Sequence, residues 1–347
     1  MNGINYSEFV LPGHPDKICD VIADTFVQEV MNRDPLSFCG VEVAIHINNI
    51  FLCGKIETRK IQTFDVLKIV QKGLKKVGYD INNFKIINNL IMKPITEIER
   101  ILHFLSNDQS ITVGYAENSP QTNYIPTPHY VAYLISKSIF DKVIKTNDKF
   151  HTDGKVLVII ENNKVKLINI SLSHKKGIAR KKIINFISDI VDKVLKEIEI
   201  KTEKRFLKIN MMGDFSRYGP YSDSGLTGKK TVMDFYGPSV AIGGGGLSGK
   251  SPNIVDRFGA IFARKLALDY LFLEKANKVL VYIVFLPAIS KPIEATVIID
   301  NNKTFKLTFE SYAIEKNFKK LNLSKLNFID CAMWGHFTRP FDKIYLF

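Results

Sequence analysis

Apolar and polar positions alternate in three separate stretches: "VEVAIHINNIFLCGKI" (41–56), "KVLVIIENNKVKLINISLS" (155–173) and "ATVIIDNNKTFKLTF" (295–309). A period of two puts one side of a strand against a core and leaves the other outward. Each stretch is broken by an Asn-Asn pair. Asparagine tolerates positive φ, so each reads as a β-hairpin turning at that pair. Helical periods are expected after each hairpin, at about 63–77, 180–199 and 311–320. In the second, Ile184, Ile187, Val191, Val194 and Ile198 recur at steps of three or four. Three such units predict an α+β fold of three related parts, each an antiparallel or mixed sheet covered by helices on one face.

Two further helices are legible. One runs from Pro15 to about Met31, with Pro15 in its first turn and Ile18, Ile22 and Val30 inward. The other covers about 253–273 and turns Phe258, Ile261, Phe262 and Leu266 to the core. A short helix is expected within 93–108.

Composition narrows the class. With 46% hydrophobic and 24% charged residues among 347, the chain is globular, which excludes a disordered protein, and its length favours two or three domains. No apolar run reaches the roughly 18 residues that span a bilayer, and the polar start lacks a leader pattern, so we expect a soluble, cytoplasmic protein with no membrane partner. The four cysteines, Cys19, Cys39, Cys53 and Cys331, form no CxxC pair and read as reduced, buried small hydrophobes. The net charge of +13 suits either a polyanionic partner or a lysine-rich surface. The lysines are spread along the chain without interleaved aromatics, which favours the surface and argues against nucleic acid.

Candidate chemistry lies in the loops. In "GGGGLSGKS" (243–251), Gly244, Gly249, Lys250 and Ser251 match the phosphate loop of nucleotide hydrolases. That loop belongs to a parallel, doubly wound sheet, whereas the hairpins here predict antiparallel pairing, and no acidic strand end of the Walker B kind is apparent. "GHPDK" (13–17) sets His14, Asp16 and Lys17 at a helix entrance, where backbone N–H groups favour anions. "TDGK" supplies Asp153 and Lys155; "GPYSDSGLTGKK" supplies Asp223, Lys229 and Lys230; "GKSPNIVDR" supplies Lys250 and Asp256. Repeated Lys and Asp in backbone-exposing loops suit a polyphosphate with a divalent cation.

At these residues the chain resembles the S-adenosylmethionine synthetase (methionine adenosyltransferase) family. The matching stretches are "GHPDKICD", "NDQSITVGYA", "TDGK", "GDF", "SDSGLTGKK", "GGGGLSGKSPNIVDR" and "WGHF", in order from Ser7 to about Phe337. The resemblance implies three domains about a pseudo-threefold axis, here expected over 1–102, 103–216 and 217–347. It also implies a homodimer with shared active sites, which can pair into a tetramer. The implied reaction is attack of methionine sulfur on C5′ of ATP, after which triphosphate leaves and is cleaved to pyrophosphate and phosphate. His14, Lys155, Lys229, Lys230 and Lys250 match the cations that receive that leaving group. Asp16 and Asp256 match ligands for two Mg²⁺ per site, and Glu42 matches the K⁺ position. Phe215 matches an aromatic against the nucleoside, Asp153 and Asp223 match ribose and substrate contacts, Gly246 belongs to the phosphate loop, and Asp108 matches an acid near the sulfur.

The departures cluster on methionine. The family's acid for the ammonium is Lys55 in "CGKI", a glutamine at the gating loop falls near Pro94, and the lysine for the carboxylate is Ile254. One family arginine is Lys229 and another is Asp214. Glu57, two residues beyond Lys55 and so on the same strand face, offers a replacement for the ammonium, with Lys55 for the carboxylate. The alternatives are a different nucleophile, hydrolysis of ATP to triphosphate, or a non-catalytic nucleotide-binding paralogue.

Overall fold

All three alternating stretches form antiparallel hairpins in this computed structural model, which describes residues 4–146, 149–204, 206–308 and 313–339. Only the second turns on its Asn-Asn pair: Asn162 and Asn163 both take positive φ, 50° and 59°. The first turns over Ile47 and Asn48, because His46 pairs with Asn49 and Ile47 takes the positive φ of 52°. The third turns over 300–302, with Asp300 at 49° and Asn301 at 60°. Strand register, set by which residues must face the core, outranks the local preference of asparagine.

From the N-terminus the elements are β1 (Ile4–Val10), α1 (Pro15–Arg33), β2 (Phe38–His46), β3 (Asn49–Thr58), α2 (Val66–Lys76), β4 (Lys85–Pro94) and α3 (Glu97–Leu102). Then come β5 (Ser110–Glu117), α4 (Thr127–Thr146), β6 (Phe150–Glu161), β7 (Lys164–His174), α5 (Arg180–Glu197), β8 (Lys201–Thr202) and β9 (Leu207–Ile209). The last part holds β10 (Gly225–Leu226), α6 (Thr231–Asp234), α7 (Val255–Leu273), β11 (Lys278–Phe285), β12 (Glu294–Ile299), β13 (Lys303–Lys306), α8 (Ile314–Lys320) and α9 (Phe328–Trp334). Residues 309 and 311–312 of the third expected unit lie outside the described residues.

Three sheets result, ordered β10-β2-β3-β4, β1-β6-β7-β8 with β9 also on β7, and β13-β12-β11-β5. Each takes one strand from a distant stretch: β10 joins β2, β1 joins β6, and β5 joins β11. One long helix covers each: α1 on β2, α4 on β1 and β6, α7 on β5 and β11. Burial of Val156, Val158 and Ile160 along β6 follows the alternation; each such side chain contributes about 1.5–3 kcal/mol.

Several boundaries shift. α2 begins at Val66, where Asp65 caps it, because 61–63 form a separate 3₁₀ turn. In α5 the core face is Ile183, Ile187, Val191 and Val194, while Ile184 is 37% exposed, so the apolar stripe begins one residue earlier than expected. Cys53 is partly exposed, unlike the other three cysteines, and all four are free. No helix among the described residues is long and apolar enough to cross a membrane.

Candidate active site

Asp16, Asp20 and Asp24 stand four residues apart on α1, and so share one face. That face holds both glycine-rich loops: Leu226 N–H donates to Asp16 (3.0 Å), Gly228 N–H to Asp20 (2.8 Å) and Gly249 N–H to Asp24 (2.8 Å). Lys17 Nζ lies 2.9 Å from Asp20 and 2.6 Å from Asp234, and Arg257 pairs with Asp24, all of them buried. Buried charges persist only when paired and hydrogen-bonded, so this lattice fixes the loops firmly.

Both loops lie along the free edge of β2. β10 pairs with Ala44 and Ile45, Val41 N–H donates to Gly249 O (3.0 Å), and Ser251 N–H donates to Cys39 O (2.8 Å). Gly249 takes φ +82°, and a Cβ there would fall 2.0 Å from Val41 O. The Ser251 hydroxyl is buried and accepts Cys39 N–H at 2.6 Å, and α7 does not begin until Val255. The run 243–251 is therefore a sheet-edge loop, unlike the strand-to-helix wrap of a Walker enzyme.

A first cleft, of about 480 Å³, gathers His14, Asp153, Lys155, Phe215 and Asp223, with Asp214 on its rim. His14 caps α1 by accepting Asp16 N–H on Nδ1 (3.2 Å), so in the neutral ring the proton sits on Nε2. Burial, and then the charge of Lys230, push its pKa down to about 4. Asp153 accepts Gly219 N–H (2.8 Å); burial first, opposed by hydrogen bonds from Gly219 and Gly154 and aided by Asp223, pushes it up to about 6. Phe215 is pinned through its backbone, its N–H donating to His174 Nε2 (3.2 Å) and its carbonyl accepting His174 N–H (2.9 Å). Lys155 pairs with Glu8 at 3.2 Å. Lys230 closes on Asp16, with Lys229 3.7 Å from the other carboxylate oxygen. Burial alone would raise Asp16, but hydrogen bonds from Lys230 and Leu226 hold it below the usual carboxylate range.

The remaining residues gather elsewhere. Lys250 Nζ is 2.6 Å from Asp256, whose other oxygen accepts from Ser110 (2.8 Å). A Cβ on Gly245 would lie 2.2 Å from the Asp256 carboxyl carbon, and one on Gly246 would lie 3.4 Å from Gly228 Cα, so the two loops meet through glycine. Glu42 lies on β2; burial, and then Asp20, raise its carboxyl while Lys250 opposes. A second pocket, of about 420 Å³, is lined by Glu57 and Ile254 and shares no residue with the first. Lys55 pairs with Glu57 on the same strand face, and Pro94 ends β4. Asp108 is not brought to either group: it is exposed and accepts the N–H of its neighbour Gln109 at 2.7 Å.

Sequence reasoning passed over Asp20, Asp24, Asp234 and Arg257. Three aspartates at helical spacing on a largely apolar helix were the available signal. Lys230 and Arg257, which pair with Asp16 and Asp24, and Asp234, which pairs with Lys17, are more than two hundred residues away and too remote in sequence to be read.

Helix-backed sheets whose glycine-rich edge loops present paired lysines and carboxylates define an α+β protein with an anion-receptive site. Three family descriptions match in succession: "S-adenosylmethionine synthetase, N-terminal domain" over 2–99, "central domain" over 104–215 and "C-terminal domain" over 217–345. The chain is 33% identical to S-adenosylmethionine synthase of Mesoplasma florum over 96% of its length and 94% of the relative's, and 31% identical to that of Mycoplasmopsis synoviae over 96% and 91%. Its fold matches the structure of an unusual S-adenosylmethionine synthetase from Campylobacter jejuni with a TM-score of 0.86 and 22% identity, covering 99% and 96% of the two chains. The chain belongs to the S-adenosylmethionine synthetase family, whose enzymes are methionine adenosyltransferases and use a divalent metal.

Proposed function

We propose that the protein makes S-adenosylmethionine from ATP and L-methionine. The sulfur lone pair attacks C5′, the C5′–O bond breaks, and its electrons leave on triphosphate, which one water then hydrolyses to pyrophosphate and phosphate. The observation that carries this reading is the pairing of Lys230 with Asp16 and of Lys250 with Asp256 on two facing glycine-rich loops. Each lysine is held by a carboxylate until a polyanion arrives, which keeps like charges from repelling and leaves the cations preorganised for the leaving group. His14, Lys155 and Lys229 add to that field, and Gly246 lets backbone approach the phosphates. In the first cleft Phe215 stacks on the nucleoside, while Asp153 and Asp223 accept from ribose and substrate. Asp108, which only the resemblance puts near the sulfur, is exposed and outside both groups in one chain.

Among the described residues no group of three metal-ligating side chains gathers. Lone carboxylates suit Mg²⁺, which takes one or two protein oxygens and completes its shell with phosphate and water. Asp16 and Asp256 would hold the two ions, which neutralise charge building on the triphosphate. Glu42, on β2 beside the Lys250 loop, would hold K⁺.

Two copies complete the site. In one chain Lys250 and Asp256 do not line the first cleft, and Tyr6, Phe51, Ile111 and Leu226 leave apolar area exposed on all three sheets, which a two-fold partner would cover. We read 1–102, 103–216 and 217–347 as the three domains, supported by family matches that change over near the same places. The free cysteines suit the cytoplasm.

The test is incubation with ATP, Mg²⁺ and K⁺, with and without methionine, and separation of the products. S-adenosylmethionine with pyrophosphate and phosphate is expected. ADP as the main product overturns adenosyl transfer, and triphosphate released without methionine favours hydrolysis or another nucleophile, the reading that Ile254 and Lys55 motivate.

A further inference from the structure

Tyr79 does not line the first cleft, yet three of the segments that build that cleft converge on this residue and the turn before it. The end of α2 aims it there. Gly78 takes φ +86°, and Tyr79 N–H donates to Leu74 O (3.0 Å), which closes a left-handed helix cap. Behind this turn the Thr152 hydroxyl donates to Val77 O at 2.7 Å. The Tyr79 hydroxyl donates to Gly13 O (3.0 Å), and Gly13 N–H donates to Thr152 O (3.0 Å). A closed circuit of hydrogen bonds thus runs from α2 to Thr152, on to Gly13 and back to Tyr79. His14 and Asp153, which do line the cleft, are the residues that follow Gly13 and Thr152.

The third segment is 218–223. Gly219 takes φ +59°, and a Cβ there would fall 2.2 Å from Tyr79 Oη and 3.1 Å from its Cζ, so the ring sits directly on bare backbone. Gly219 N–H donates to the Asp153 carboxylate (2.8 Å), and Gly219 O accepts the N–H of Asp223 (3.2 Å). The neighbouring Tyr218 ring lies 6.4 Å from that of Tyr79 and stacks on His151 at 3.7 Å, which holds the loop from its other side. Burial, and then the charge of Asp153, raise the Tyr79 hydroxyl, so it remains a donor.

We propose that Tyr79 is a positioning residue for ATP, whose hydroxyl sets the spacing between the His14 segment and the loop that carries Gly219 and Asp223, and so the width of the nucleotide cleft. The inference rests on the adenosyl-transfer reading and concerns how its nucleotide is held. Loops joined by single hydrogen bonds fluctuate independently. Fixed to one rigid ring they keep a common geometry, so that His14 meets the phosphates while Asp153 and Asp223 meet the ribose. Tyr79 acts only through Gly13 and Gly219, because it reaches neither the cleft nor the second pocket. Its loss therefore weakens use of ATP and leaves the acceptor alone. Tyr79 lies in none of the stretches that carry the family resemblance.

The experiment measures KM for ATP, KM for methionine and kcat in Tyr79→Phe, Gly219→Ala and the double variant, with Mg²⁺ and K⁺ present and S-adenosylmethionine scored. Tyr79→Phe keeps the ring and removes only the donor. KM for ATP should rise about five- to tenfold, the scale of one uncharged hydrogen bond, while KM for methionine stays within about twofold. Gly219→Ala drives a methyl group onto the Tyr79 hydroxyl and should raise KM for ATP about tenfold or more. With the hydroxyl gone that methyl gains room, so in the double variant the two effects should combine to less than their product. A structural role alone would lower the urea midpoint and leave both KM values in place or raise them together. Either result overturns the proposal, and so does a double variant that shows the full product. If wild type forms no S-adenosylmethionine, the adenosyl-transfer reading falls, and calorimetry of ATP with Mg²⁺ decides the role of Tyr79: affinity about fivefold weaker in Tyr79→Phe supports it, and equal affinity or no binding in wild type overturns it.

Discussion

Asp16 pairs with Lys230 and Asp256 with Lys250, and the roles proposed for them start from those pairings. Lys250→Ala leaves Asp256 partly solvated and hydrogen-bonded to Ser110, so the fold should survive while turnover falls by about a hundredfold or more, the scale of losing one preorganised charge. Asp16→Asn should behave alike, with product formation and far-UV circular dichroism measured side by side; turnover near wild type would reject these roles. Asp153 makes a pH prediction. Its ordinary value of 3.8 is raised to about 6, by burial first, so its contribution to stability is greatest below about 4 and is lost as pH rises through 6. Binding runs the opposite way, because only the carboxylate formed above about 6 fully accepts from ribose hydroxyls. KM for ATP should therefore rise as pH falls from 7 to 5 in the wild type, and should be high and flat in Asp153→Asn; parallel profiles would remove Asp153 from nucleotide binding.

Hairpins carry the fold at the scale of elements, and their turns record a conflict between local preference and register. Ile47 occupies the positive-φ position of the first turn, where a β-branched side chain costs about 1–2 kcal/mol. Ile47→Asn keeps the N–H that donates to Pro220 O (2.8 Å) and relieves the strain. Stability should rise by about 1 kcal/mol, read as a higher midpoint in urea; a lower midpoint would show that the side chain packs more than its 41% exposure suggests. Alternation located all three hairpins, and helical periodicity located the helices after them, because both depend on neighbours in sequence. The same neighbours misplace ends: Asp65 moves the start of α2 to Val66, and the α5 stripe slides to Ile183.

For the whole molecule the governing feature is exchange. β1, β5 and β10 each complete a sheet built from another stretch, so no third of the chain holds its sheet unaided. The candidate site divides in a similar way, with Lys155 in the first cleft and Lys250 beyond it. If a second copy joins the halves, Lys155→Ala and Lys250→Ala, each inactive alone, should regain about a quarter of wild-type activity when co-refolded in equal amounts, since half the dimers are mixed and each has one intact site. No recovery would place both lysines in the same chain's site.

The motifs lie within short stretches, and so the family, and the Lys and Asp residues that the loops pair, were legible in the amino-acid order. Periodicity likewise determined that three helix-backed hairpins exist. What only the tertiary structure decided is which charges meet: that Asp20 and Asp24 carry the glycine-rich loops, that Lys93 joins Lys55 over Glu57, and that Asn253 Oδ1 is left open. These pairings bring together groups from tens to more than two hundred residues apart, and their strength comes from exclusion of water. Burial of that kind is a property of the packed chain, and no local pattern encodes it.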